Sequence, residues 1–223
     1  GSKIVMIHTV LFDLDGTLTD PKEGITKCVQ YGLQHFGIDQ PDLEQLTVFI
    51  GPPLMDGFQQ YYHFTEEQAS IATQKYRERF KNQGIFENKL YDGIPELLQH
   101  LLNQGKTLAI ATSKPQIFTE QILDHFDLTK YFSVIVGSTL DGTLSKKEDV
   151  IQETLKQLQL NPEQFKQAIM VGDRCYDILG AQKCGLNSIG VGYGYAQPGE
   201  LSQAGATYQV ETILELQELL DQI

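Results

Sequence analysis

Val10-Leu11-Phe12-Asp13-Leu14-Asp15-Gly16-Thr17-Leu18-Thr19-Asp20 is the stretch on which the fold turns. Its first residues close an apolar run of Ile4, Val5, Met6, Ile7, Val10, Leu11 and Phe12, the pattern of a parallel strand buried on both faces. The run ends abruptly in Asp-Leu-Asp-Gly-Thr. In extended chain, residues two apart share a face, so Asp13 and Asp15 are expected to converge at the strand tip. Asp and Gly are also common turn residues, and alone the motif would read as a capped turn. Two unpaired carboxylates at the end of a buried strand are costly without a compensating cation, which favours a chemical role.

After the motif the pattern becomes helical. Asp20-Pro21-Lys22-Glu23 reads as N-cap, first-position proline and capping-box glutamate. Ile25, Val29, Leu33 and Phe36 recur at helical spacing, and Gly37 ends the run. Further helices are expected at about 41–48, 53–62 and 65–80. From Asp92 the chain alternates. A helix bearing Ile94, Leu97, Leu98, Leu101 and Leu102 ends at Gly105, and the strand Thr107–Ala111 follows. A helix from Pro115, the strand Ser133–Val136, a helix over 148–159 and the strand Ala168–Val171 come next. A helix over 174–184, the strand Ser188–Val191 and a last helix capped by Thr212-x-x-Glu215 complete the chain. The expected fold class is α/β, a doubly wound parallel sheet. Residues 1–19 and 89–223 would form the core, and residues 20–88 an inserted all-helical domain.

The chain has 223 residues, with 17 Lys+Arg against 29 Asp+Glu and a net charge of −12. That balance opposes non-specific nucleic-acid binding, which needs basic surface. Arg77, Arg79 and Arg174 are the only arginines, so phosphate would be held by lysine, hydroxyls, amides or a metal. Cys28, Cys175 and Cys184 form no CxxC motif and read as thiols of a reducing compartment. No apolar run reaches the about 18 residues of a membrane span, and no secretory signal is visible, so a cytoplasmic protein is expected. Gly1-Ser2 reads as a cloning remnant.

Ligands of open α/β sheets sit beyond the carboxyl ends of the strands, and four such ends carry suggestive residues. Asp13 and Asp15 are the first. Thr112-Ser113-Lys114 follows the second strand, where hydroxyls and amides can bind phosphate oxygens or simply cap a helix. Lys146-Lys147 precedes the helix bearing Val150, Ile151, Thr154, Leu155 and Leu158. The 3.6-residue period aligns Lys147 with that apolar face and points Lys146 away, although two solvated lysines are the ordinary reading. Gly172-Asp173 comes last, with Asp177 four residues on. Within one helix the two acids would share a face and could reach one metal; as an N-cap and a first-turn acid they would only complement the helix dipole.

In chain order the strand tips supply Asp-x-Asp, Thr/Ser, Lys and Gly-Asp-x-x-x-Asp. This order resembles the four motifs of the haloacid dehalogenase superfamily, and the resemblance covers essentially the whole chain, including a helical cap. Asp13–Asp20 is similar to the phosphatase branch. Phe49-Ile50-Gly51-Pro52-Pro53-Leu54, Val191-Gly192-Tyr193-Gly194-Tyr195 and Gly205-Ala206 resemble the bacterial phosphoglycolate phosphatase and 5′-nucleotidase-like groups. Many relatives carry Lys-Pro at the third motif, where this chain has Lys146-Lys147-Glu148. The resemblance implies an Mg²⁺-dependent phosphomonoester hydrolase working through an aspartyl-phosphate. Asp13 would be the nucleophile and Asp15 the general acid and base. Asp13, Asp173 and the Asp15 carbonyl would hold Mg²⁺, supported by Asp177. Thr112, Ser113 and Lys147 would bind the phosphate oxygens, and Gly51, Pro52, Pro53 and Leu54 would contact the leaving group. The substrate would be a small phosphorylated metabolite, a nucleoside monophosphate on the Gly51–Leu54 context, with phosphoglycolate as the alternative.

Competing readings fit less well. The first strand is not followed by G-x-G-x-x-G. Gly137 and Gly142 have P-loop spacing, but Thr143 stands where lysine is needed. There is no G-x-S-x-G elbow, and histidines 8, 35, 63, 100 and 125 lack zinc-ligand spacing. Response-regulator receivers share acidic pairs, Thr/Ser and Lys, but are single compact domains. A dehalogenase needs neither Asp15 nor a metal, so Asp15 and Asp173 count against it.

Overall fold

The computed structural model describes residues 6–223; the expectations for Gly1-Ser2, Ile4 and Val5 lie outside them. β1 is Thr9–Phe12 and β2 Thr19–Asp20; helices α1 (Lys22–Gln34), α2 (Leu54–Tyr62) and α3 (Glu66–Phe80) follow, then β3 (Lys89–Leu90). The alternating part comprises α4 (Ile94–Asn103), β4 (Thr107–Pro115), α5 (Gln116–His125), β5 (Val134–Ser138), α6 (Lys147–Gln157), β6 (Ala168–Gly172) and α7 (Cys175–Lys183). β7 (Asn187–Val191), α8 (Glu200–Ala204), β8 (Tyr208–Val210) and α9 (Ile213–Gln222) close it.

The main sheet has strand order β5-β4-β1-β6-β7-β8, and every pairing in it is parallel. Strand residues alternate between two cores. Val10, Phe12, Leu108, Ile110, Ile169 and Val171 meet Leu97, Leu101, Ile122 and Leu216 from α4, α5 and α9. Leu11, Ala109, Ala111 and Met170 meet Val150, Ile151, Leu155 and Ala181 from α6 and α7. The first core continues into the helical insertion through Ile25, Val29, Leu33, Phe58 and Phe80. From β1 the chain moves out to β4 and β5, then crosses back to β6 on the other side of β1. This reversal opens a crevice at the carboxyl end of β1. Phe12 is in register with both Ile110 and Val171, so the three central strands deliver their next residues side by side.

Several local expectations change. Thr112, Ser113 and Lys114 are part of β4 rather than following it, because the strand runs on through a register irregularity between Ala111 and Pro115. Asp20 pairs with Lys89 in β2–β3, so α1 begins at Lys22; the Asp20 carboxylate still accepts the Lys22 N–H (3.1 Å). Glu23 makes no capping box and pairs instead with Lys27 (2.7 Å). The helix expected at about 41–48 is a 3₁₀ helix over Leu43–Phe49. Thr212 does cap α9, accepting the Glu215 N–H (3.0 Å). The strands β2, β3 and β8, of two or three residues, fall below the length at which periodicity is legible. Among the described residues, no helix is long and apolar enough to cross a membrane.

Candidate active site

The tip of β1 is held by its own backbone. The Leu14 carbonyl accepts the amides of Thr17, Leu18 and Thr19, and Gly16 N–H donates to the Thr19 carbonyl (2.8 Å). This tight loop needs the left-handed conformation at Gly16 (φ +80°), and it packs against Asp173 so closely that a Cβ at Gly16 would sit 2.1 Å from Asp173 Oδ2. Gly16→Ala is therefore expected to cost about 2–4 kcal/mol from backbone strain and overpacking, and to displace Asp173. A lowered urea midpoint together with lost turnover is the expected result; an unchanged midpoint and unchanged turnover would contradict this geometry.

Asp13, Asp173 and Asp177 are buried, and one carboxylate oxygen from each lies within 4.8 Å of the others. Asp13 follows β1 and Asp173 follows β6. Asp177 lies in the first turn of α7, where its Oδ2 accepts the Arg174 N–H (3.1 Å). Helix α7 begins after Asp173, with Arg174 as its N-cap. The turn, not a shared helical face, brings the two acids together, and Asp173 is not the N-cap. Gly172 permits this approach, since a Cβ there would meet the Asp177 carboxyl at 2.2 Å.

Lys147, at the start of α6, is buried while Lys146 is exposed. Its Nζ donates to Asp13 Oδ1 (2.9 Å) and to the Ala111 carbonyl (3.1 Å) and lies 3.0 Å from Asp177 Oδ1. Burial alone would lower its pKa, but Asp13 and Asp177 outweigh burial and raise it, so the ammonium is held charged. Asp15 stands outside the three-acid cluster. Its Oδ2 accepts from Lys114 Nζ (2.9 Å), and burial, countered by Lys114, holds its carboxyl above the ordinary range. That is the direction a proton donor needs.

Asp13, Asp15, Thr112, Ser113 and Lys114 line one cavity of about 1340 Å³ between the sheet and the helical insertion. Gly51, Pro52, Pro53 and Leu54 line it from the insertion side. The Thr112 hydroxyl accepts the Lys114 N–H (3.2 Å), and Ser113 Oγ is buried without a partner.

The donor set fits a hard divalent cation. Asp13 Oδ2 is buried without a hydrogen-bond partner. Among the described residues, Asp173 accepts hydrogen bonds only from neutral groups, Tyr195 N–H (2.9 Å) and the Thr17 hydroxyl (3.4 Å). Burial first, then Asp13 and Asp177, raise Asp173; burial and Asp13 push Asp177 to about 6. Four buried aspartates face two buried lysines here, leaving a charge of −4 + 2 = −2.

Sequence reasoning gave no role to Lys114, Thr17 or Tyr195. Lys114 was visible only as part of Thr-Ser-Lys, and nothing local shows that it reaches Asp15, 99 residues away.

Residues 10–191 match the family model described as haloacid dehalogenase-like hydrolase. A 5′-nucleotidase of Pseudomonas aeruginosa is 47% identical over 95% of this chain and 95% of that protein. A crystal structure of a predicted phosphatase from Clostridium acetobutylicum superposes with a TM-score of 0.94 at 51% identity, covering 98% of this chain and 100% of the other. The tyrosine-protein kinase PtkA of Mycobacterium tuberculosis is 37% identical over 95% of this chain and 72% of its own length. With the family's motifs gathered at the tips of β1, β4 and β6 and the start of α6, the chain belongs to the haloacid dehalogenase-like hydrolase family and is an enzyme of its phosphatase branch.

Proposed function

We propose that this phosphatase hydrolyses the phosphate ester of nucleoside monophosphates through an aspartyl-phosphate on Asp13. The observation that carries the chemistry is the pair Asp13 and Asp15, which line one cavity while each gives one carboxylate oxygen to its own buried lysine. An Asp13 oxygen attacks phosphorus, and the bond from phosphorus to the leaving oxygen breaks as Asp15 gives that oxygen its proton. Asp15, now a carboxylate, takes a proton from the water that attacks the phosphorus of the aspartyl-phosphate. The Asp13–phosphorus bond breaks, releasing inorganic phosphate. Lys147, Thr112 and Ser113 hold the non-transferred oxygens. Asp13 and Asp173, with the Asp15 carbonyl and Asp177 in support, would hold Mg²⁺, which when bound offsets the repulsion between carboxylate and phosphate. The helical segment 20–88 acts as a cap domain that excludes water from the cavity.

The roof of the cavity supports a nucleoside as leaving group. Pockets for small molecules commonly span about 300–1,000 Å³, and this cavity is larger. Phe49, Tyr76, Phe80 and Phe118 supply aromatic wall; Asp56, Glu66 and Glu67 face a single arginine, Arg77. A carboxylate-bearing leaving group such as glycolate is repelled by that balance, whereas an uncharged nucleoside is not.

The test is a panel of nucleoside monophosphates, 2-phosphoglycolate and p-nitrophenyl phosphate. Nucleotides are expected to lead phosphoglycolate in kcat/KM by about tenfold or more, the ratio set by differential transition-state binding. Leu54→Ala, which removes apolar contact worth about 1–2 kcal/mol, is expected to lower kcat/KM for nucleotides about tenfold. It should leave p-nitrophenyl phosphate within about twofold. A preference for phosphoglycolate, or equal losses on every substrate, would refute the assignment.

A further inference from the structure

Arg174 stands next to Asp173 in sequence, yet its guanidinium turns away from the carboxylates. It is 2% exposed. Its Nε donates to Glu200 Oε2 (2.8 Å), and the same oxygen accepts the Cys175 N–H (2.8 Å) at the start of α7. Its Nη1 crosses to the helical insertion and donates to the carbonyls of Val48 (3.0 Å) and Ile50 (2.6 Å). These carbonyls lie at the end of the 3₁₀ helix 43–49, where backbone acceptors lack intrahelical partners and a cation is favourable. The next residue, Gly51, has φ +127°, and a Cβ there would lie 2.9 Å from Arg174 Cγ. Backbone thus rests directly on the arginine stem. The guanidinium also sits 5.2 Å from the Tyr176 ring centroid, and the Tyr176 hydroxyl meets that of Tyr61 on α2 (3.4 Å).

Fixed from both sides, this side chain joins the turn that carries Asp173 to the loop that leads into Pro52, Pro53 and Leu54, all of which line the cavity. Among the described residues, its guanidinium bonds to Glu200, Val48 and Ile50 and to none of Asp13, Asp15, Asp173 and Asp177. We propose that Arg174 is a positioning residue for leaving-group selection: it docks the Gly51–Leu54 loop on the metal-binding turn and so sets where that loop stands over the reacting phosphate. The proposal rests on the loop contacting the leaving group, as in the function above.

Two variants test it. Arg174→Gln keeps polarity but cannot bridge Glu200 and both carbonyls; Gly51→Ala leaves Arg174 intact and pushes the loop off its stem. Both are expected to raise KM for nucleoside monophosphates about tenfold or more, the loss of buried hydrogen bonds. Arg174→Gln should leave kcat/KM for p-nitrophenyl phosphate within about twofold, and both variants should leave the Mg²⁺ concentration for half-activation within about twofold. Hydrogen exchange of the amides over 48–54 should rise in both. This readout needs no substrate, so it separates failure of the docking from failure of the nucleotide assignment. Unchanged exchange in both variants would overturn the docking. Faster exchange with losses equal across all substrates, or with a shifted Mg²⁺ requirement, would overturn the role in selection. If Arg174→Gln does not fold, Gly51→Ala carries the hydrogen-exchange and Mg²⁺ outcomes.

Discussion

Asp13→Asn is expected to abolish turnover of p-nitrophenyl phosphate, by at least about 10³-fold, while leaving the circular dichroism spectrum unchanged. A carboxamide has no anionic oxygen to attack phosphorus, so the covalent route closes. The isosteric amide still offers an oxygen to Lys147, 2.9 Å from the carboxylate it replaces, so packing has no reason to fail. Stability should hold or rise, because one negative charge leaves a cluster whose net charge is −2 from four aspartates and two lysines. The combination of an intact fold, an equal or higher melting temperature and no turnover distinguishes a nucleophile from a structural acid. Near wild-type turnover in this variant would eliminate the covalent mechanism.

The reason Asp13 could be read from sequence is local. A buried apolar strand that stops at two carboxylates leaves a charge that calls for cationic partners, and the structure supplies Lys147 and Lys114. Lys147 was legible for a similar reason: its phase matches Val150, Ile151 and Thr154, which the structure buries with it. Asp173 and Asp177 were found by a looser argument. They do meet, but through the turn before α7, because Asp173 lies ahead of the helix whose face it was expected to share. Residues whose partners lie far along the chain were not legible. Lys114 finds Asp15 across 99 residues and lies 4.5 Å from the Phe80 ring centroid at the end of α3. Arg174 finds the Val48 carbonyl across 126 residues. Such contacts depend on β1, β4 and β6 being adjacent and on the insertion folding back over them, and no local periodicity encodes either. Strands of two or three residues, such as β2, β3 and β8, likewise carry too few positions to show an alternation. The scarcity of arginine was visible, but its use was not. Arg77 donates to the Leu140 carbonyl (3.0 Å), Arg79 grips Glu87 (2.7 and 3.2 Å), and Arg174 holds Val48 and Ile50. All three brace the insertion or its boundary, and phosphate is left to the lysines and hydroxyls.

Chelation should remove activity, and Mg²⁺ should restore it and raise the melting temperature. The cause is the charge left in the site. Lys147 serves Asp13 and Asp177, and Lys114 serves Asp15, but among the described residues Asp173 accepts hydrogen bonds only from a hydroxyl and a backbone amide. Among the influences on Asp173, that of Arg174 offsets this charge least, its guanidinium being held by Glu200, and burial, Asp13 and Asp177 still raise Asp173. Two carboxylates about 4–5 Å apart repel by about 3–4 kcal/mol at an effective dielectric constant of 20, and the three acids here lie within 4.8 Å. A cation bound only by the folded protein stabilises it by about 2.7 kcal/mol at a concentration 100 times its Kd. For a chain of this size that is a rise of roughly 5–10 °C. Asp173→Asn separates a specific site from general screening, because it acts in opposite directions on two readouts. The metal-free variant should melt higher than the metal-free parent, since one repelling charge is gone. Its gain on adding Mg²⁺ should shrink to a small fraction, since a principal ligand is gone as well. A parent protein fully active in excess chelator, or a variant whose Mg²⁺ shift equals the parent's, would show that these carboxylates hold no functional metal.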